Sequence, residues 1–192
     1  MRAIGPAALW AALLLAAGCE PPLPEAQGRY EDPGSGYSIE FPQGWKLRQE
    51  AAEGILVALS PREGQDDPFS ENVTIHAARL PEPRALDEHF EVLLGEWRRS
   101  PGFEQLEAGR RELGGAEARW IVQQQEVQGE PLRLLTYVIV VNQRSYIIHC
   151  AAPPETFAQV RPIFERAVGT FRILEEPAAA PGAAGPPNAL GS

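Results

Sequence analysis

The chain has 192 residues, 44% of them apolar and 22% charged, with a formal charge of −9. That length fits one domain with a core of its own, and the acidic balance argues against nucleic acid as a partner and against adsorption on anionic lipid. Its only cysteines, Cys19 and Cys150, are too few for a disulfide framework.

Met1 and Arg2 give a short positive start, and an apolar segment over 7–17 follows. This segment is too short for a transmembrane helix, which needs about 20 apolar residues. It ends in Leu15-Ala16-Ala17-Gly18-Cys19. The run resembles the bacterial lipoprotein signal, which implies diacylglycerol on the Cys19 thiol, cleavage before Cys19 and acylation of the new amine. On that reading 1–18 is a removed leader. Trp10 leaves with it, and the loss of Arg2 moves the charge from −9 to −10. The acyl chains then do the anchoring, at about 0.8 kcal/mol per buried CH₂. The membrane is thus one partner. Glu20, where an aspartate would resemble an inner-membrane retention signal, favours the outer membrane.

Residues 19–28, with Pro21, Pro22 and Pro24, read as an extended tether holding the domain roughly 25 Å from the bilayer. The folded domain is expected over 29–174. The tail, 175–192, is rich in Ala, Pro and Gly and is expected to be disordered.

Within the domain the first long strand is Tyr37-Ser38-Ile39-Glu40-Phe41, which alternates with period two. Pro42-Gln43-Gly44 turns the chain into Trp45-Lys46-Leu47, and the pair is expected to form a hairpin. Further strands are expected over 55–60, 72–78, 104–113, 116–126, 132–141 and 144–151. Gly114-Gly115 is a two-residue hairpin signal, since both glycines tolerate the positive φ of a type I′ turn. Gln128-Gly129-Glu130 and Asn142-Gln143 supply the next two turns, so the last four strands are expected to form an antiparallel meander.

A helix is expected over 85–99, where Leu86, Phe90, Leu93, Leu94 and Trp97 form one apolar stripe and Asp87 and Glu88 suit the positive end of its dipole. A second stripe runs through Phe157, Val160, Phe164, Val168 and Phe171 after Pro153-Pro154. Pro162 falls inside it, and a kink or split is expected there. The strand over 132–141 is apolar on both faces and needs cover on both. The fold class is therefore α+β, a central antiparallel sheet flanked by helices in an α/β/α sandwich.

The order of these pieces carries a resemblance: a short strand at Tyr30, then Gly36-Tyr37-Ser38-Ile39-Glu40-Phe41-Pro42-Gln43-Gly44-Trp45, a helix, a long meander, and Phe157, Phe164 and Gly169-Thr170-Phe171 at the close. It resembles the PsbP-like superfamily, which includes the extrinsic photosystem subunit and many bacterial lipoproteins of the DcrB kind. The resemblance covers roughly 29–174. It implies a non-enzymatic extracytoplasmic module that supports or assembles membrane complexes, with no catalytic residues to carry over.

The residues themselves offer little chemistry. His76, His89 and His149 are the only imidazoles, and none has a second ligand at a recognised metal spacing. Structural or surface roles are expected for all three, with no metal and no cofactor. His149 and Cys150, adjacent on a strand, point to opposite faces. Cys150 reads as a packed, inert thiol. Ser35, between Gly34 and Gly36, marks a loop rather than a nucleophile elbow. The acidic run at 63–68 lacks the ligand pattern of an EF-hand and reads as a solvated loop. Trp45, Trp97 and Trp120 are expected in the core. Gln123-Gln124-Gln125 reads as a polar hairpin end, or else an exposed strand segment for a partner.

Two functions stay open at this level. One is a lipid-anchored module that works through contact with an envelope protein partner. The other is a small-ligand-binding lipoprotein, with a pocket between the sheet and the helix at 85–99.

Overall fold

The computed structural model describes residues 23–50, 54–62, 64 and 69–174. The leader, Cys19, the start of the tether, the acidic run apart from Gly64, and the tail at 175–192 lie outside the described residues.

The chain forms β1 (Arg29–Asp32), β2 (Tyr37–Glu40), β3 (Lys46–Glu50), β4 (Ile55–Leu59), β5 (Asn72–Arg79), α1 (Leu86–Trp97), β6 (Glu104–Leu113), β7 (Ala116–Val127), β8 (Glu130–Val141), β9 (Arg144–Ala152), α2 (Pro154–Gly169) and β10 (Arg172–Ile173). Seven strands make one antiparallel sheet in the order β3-β4-β5-β9-β8-β7-β6, and β1-β2-β10 make a second. The expected meander is β6 to β9. Its three turns carry positive φ at both central residues: Gly114 and Gly115, Gln128 and Gly129, and Asn142 and Gln143. That is the backbone a two-residue type I′ hairpin demands.

The period-two pattern divides the large sheet cleanly. Tyr146, Ile148 and Cys150 of β9, with Leu135, Tyr137 and Ile139 of β8, face a core closed by Phe157, Phe164 and Val168 of α2 and by Tyr37 and Ile39 of β2. Val138 and Ile121 face the other way, against Phe90, Leu93, Leu94 and Trp97 of α1. Helices thus cover both faces, as the doubly apolar β8 requires, and the small sheet shares a layer with α2. Tyr37 stacks on Phe171 at 5.6 Å between ring centroids, and the Tyr146 hydroxyl donates to the Ser35 carbonyl at 3.0 Å, which ties the Ser35 loop down.

Three expectations need correction. The segments around Pro42-Gln43-Gly44 do not form a hairpin, because both edges of β2 are taken by β1 and β10 while β3 pairs with β4 in the other sheet. The turn exists, with Gly44 at φ 84 and the Trp45 N–H donating to the Pro42 carbonyl, but it carries the chain from one layer to the next. Secondly, of the kink or split expected at Pro162 the split is absent, since α2 runs as one helix through that residue. Phe157 before it and Phe164 and Val168 after it pack in the main core and hold the two halves to the sheet despite the missing backbone bond. Thirdly, residues 24–26 are not a free tether. The Ala26 N–H donates to the Trp45 carbonyl at 2.7 Å, the Leu47 N–H donates to the Pro24 carbonyl at 2.8 Å, and Glu25 bridges Lys46 on the outer margin of β3.

Candidate functional site

All three histidines gather on the α1 face of the large sheet. In the pairing of β5 with β9, Thr74 lies opposite His149 and His76 lies opposite Ile147, so the two imidazoles are diagonal neighbours. Their ring centroids are 5.8 Å apart at 81°. Thr136, opposite His149 on β8, joins its hydroxyl to His149 Nδ1 at 2.9 Å, and the Trp97 indole meets the His149 ring edge-on at 5.9 Å. From α1, His89 Nε2 pairs with the Ser145 hydroxyl at 2.8 Å.

These groups are placed for structure rather than for proton transfer. Burial drives the His149 pKa down to about 3, with the neighbouring His76 adding to the fall. His76 is lowered by burial, and His89 by burial and then Arg84, against an opposing pull from Glu88. The three imidazoles are therefore neutral near pH 7. Among the described residues, no three His, Cys, Asp or Glu side chains come together as a metal would require.

Sequence spacing could have found the burial of His89. It stands three residues after Leu86 and four before Leu93, on the buried stripe itself. The meeting of His76 with His149 had no local signal, because it depends on the distant pairing of β5 with β9.

Cys150 lies on the opposite face, fully buried, where desolvation first and Glu165 second push its thiol pKa up. We expect the folded chain to leave Cys150 unmodified by an aromatic disulfide reagent at pH 8, with full reaction in denaturant; rapid labelling of the native protein would contradict this.

The glutamine run corrects another expectation. Gln123 to Gln125 lie within β7, the first two laddered to both β6 and β8 and Gln125 to β8, and not at a hairpin end or an exposed strand. Gln123 is 0% exposed with neither end of its amide hydrogen-bonded. An unpaired buried polar group costs about 1–3 kcal/mol. Gln123→Leu, similar in volume, is expected to raise unfolding stability by about 1 kcal/mol or more in urea titration; a loss of stability would show that the amide is satisfied.

Trp45 and Trp97 are core, as expected, at 6% and 8% exposure. Trp120 is half-buried on β7 opposite Gly109, where an added Cβ would come within 2.8 Å of the indole. The absence of a side chain at Gly109 is what lets the ring lie flat across β6.

The junction between α1 and the sheet is filled. Phe90, Leu93, Leu94 and Trp97 pack on Ile121 and Val138, and the Arg119 guanidinium sits 4.1 Å from the centre of the Phe90 ring. Arg119 also pairs with Asp87 at 2.7 Å, which pins the first turn of α1 to β7. Two surface hollows, about 480 Å³ beside Glu25 and Phe41 and about 410 Å³ at the Gly115 turn, lie elsewhere. The expected ligand pocket under α1 is thus occupied by the protein's own side chains.

A seven-stranded antiparallel sheet covered by one helix on one face, and by a helix and a small sheet on the other, is the PsbP-like fold. The chain is similar to CyanoP, the PsbP of the cyanobacterium Synechocystis, with 17% identity over 84% of this chain and 98% of that one at a TM-score of 0.57. It is also similar to LpqN of Mycobacterium tuberculosis, a protein involved in cell envelope biogenesis, with 12% identity over 72% and 83% of the two chains and a TM-score of 0.61. A protein of unknown function from Pseudomonas aeruginosa matches at 18% identity over 73% and 92%, TM-score 0.57. No family model and no curated protein sequence matches the chain. Among the described residues, no helix is long and apolar enough to cross a membrane.

Proposed function

We propose that the protein is a non-enzymatic module of the bacterial cell envelope, anchored by acyl chains on Cys19 and facing the periplasm or the exterior, that binds or supports a membrane protein complex. The observation that carries this reading is where its reactive side chains sit. His149, His89 and Cys150 are buried and His76 is largely so, which leaves the surface to act by contact rather than by chemistry. The run ending in Cys19 supports the anchor. The cell-envelope role printed for LpqN supports the setting. The outer membrane is favoured by Glu20 after the cysteine.

The test is a crosslinking pull-down of the full chain from its native membrane, with Cys19→Ala as control. A defined membrane complex recovered only with the Cys19 form is the expected result. Recovery of the chain alone from crosslinked membranes at native abundance would overturn the contact reading, and membrane retention of Cys19→Ala would overturn the anchor.

A further inference from the structure

The pairing of residues 24–26 with β3 fixes how an anchored domain stands. A tether free over 19–28 would let the domain turn in any direction about roughly 25 Å of chain. The strap shortens the free chain and fixes the point of the domain from which it leaves. Leu23, half-buried, is where the described chain begins, and Pro24, Glu25 and Ala26 are already laid along β3. Ala26, at 7% exposure, belongs to the main core and clamps the strap down. Four Cα–Cα steps lead from Cys19 to Leu23, which at no more than about 3.5 Å each is a reach of about 14 Å.

β3 is one margin of the seven-stranded sheet and β6 is the other. Six strand spacings of about 4.8 Å put them about 29 Å apart. That separation is twice the reach of the leash, so the anchor cannot serve both margins equally. The geometry points to a surface with a lipid bilayer as its partner: the strap and β3 margin stands next to the lipid headgroups, and the β6 margin is held away from them.

The inference rests on the anchoring of Cys19 proposed above. It adds what anchoring alone does not supply, a fixed near side and a fixed far side. The strap also covers the start of the β3 edge, since the outward Trp45 carbonyl and Leu47 N–H are spent on it. The prolines suit this work. Pro24 has no N–H to offer, but its carbonyl is the group that β3 uses.

The experiment uses the full lipidated chain in vesicles of phosphatidylethanolamine and phosphatidylglycerol carrying a headgroup energy-transfer acceptor. A donor is placed at Gln49→Cys on β3 or at Leu106→Cys on β6; both side chains are exposed, and buried Cys150 stays unlabelled. Transfer from position 49 is expected to exceed that from position 106 at least about threefold, given the separation of about 29 Å. Equal or reversed transfer from protein that floats with the vesicles overturns the orientation and leaves the anchor standing. Protein that does not float overturns the anchor and the orientation with it. A second variant, with ten Gly and Ser residues inserted between Glu20 and Pro21, leaves the strap and the fold untouched. The difference between the two positions is expected to shrink in it, and persistence of the full difference would show that something other than the short leash sets the orientation.

Discussion

Phe164→Ala is expected to lower the stability of the domain by about 3–5 kcal/mol, enough to leave much of it unfolded at 37 °C if the total lies at the low end of about 5–15 kcal/mol. The ring is 0% exposed and sits on α2 two residues past Pro162, edge-on to Trp45 at 6.3 Å between centroids. Its loss falls where the helix is least able to bear it. Pro162 removes one backbone bond, a defect that costs about 3 kcal/mol in a regular helix, so α2 depends on its apolar face to stay continuous. The same ring joins α2, the Trp45 corner and the large sheet in one core. Urea titration followed by tryptophan fluorescence reads the effect. Val160→Ala, on the same helix but only half-buried, is expected to cost no more than about 1 kcal/mol. Similar losses for the two would mean that α2 is not held by this contact.

The parts of the fold legible in the sequence were those written locally. The turns at Gly114, Gln128 and Asn142 announced themselves by residue type, and the glycine pair took the positive φ expected of it. The stripe from Leu86 to Trp97 gave α1 its length and its buried side. What stayed hidden was set by partners far along the chain. β2 looked like half of a hairpin because Pro42-Gln43-Gly44 is a true turn, and only the arrival of β10 from the C-terminal end fills the edge that β3 would have used. Pro21, Pro22 and Pro24 read as free tether because composition reports backbone stiffness and not the destination of a carbonyl. In the candidate site, each histidine was visible alone. Their meeting required the β5 and β9 register, and the buried amide of Gln123 required knowing that β7 is laddered on both sides there.

Acid is expected to destabilise the protein through His149 before ordinary carboxylates titrate. The sign follows from where the proton binds more tightly. In the unfolded chain the imidazole has its usual pKa of about 6.5, whereas in the folded one burial and His76 hold it at about 3. Below pH 6.5 the unfolded state takes up a proton that the folded state refuses, so stability is full above that value and is lost as pH falls towards 3. At about 1.4 kcal/mol per pH unit, the loss reaches at most about 5 kcal/mol. His76 and His89, lowered in the same direction, add to the slope between pH 6.5 and their own folded values. The surroundings of His149 among the described residues include Thr136 and Thr74 on the neighbouring strands, the Trp97 ring from α1 and the His76 imidazole, whose charge opposes a second proton. Stability measured by urea titration from pH 7.5 to 4.5 should fall steadily in the native sequence. In His149→Gln, which keeps a polar side chain opposite Thr136 but carries no proton, the slope should be markedly shallower even where the variant is less stable at pH 7.5. Parallel slopes for the two proteins would place the acid sensitivity elsewhere and would mean that His149 is reached by water in the folded state.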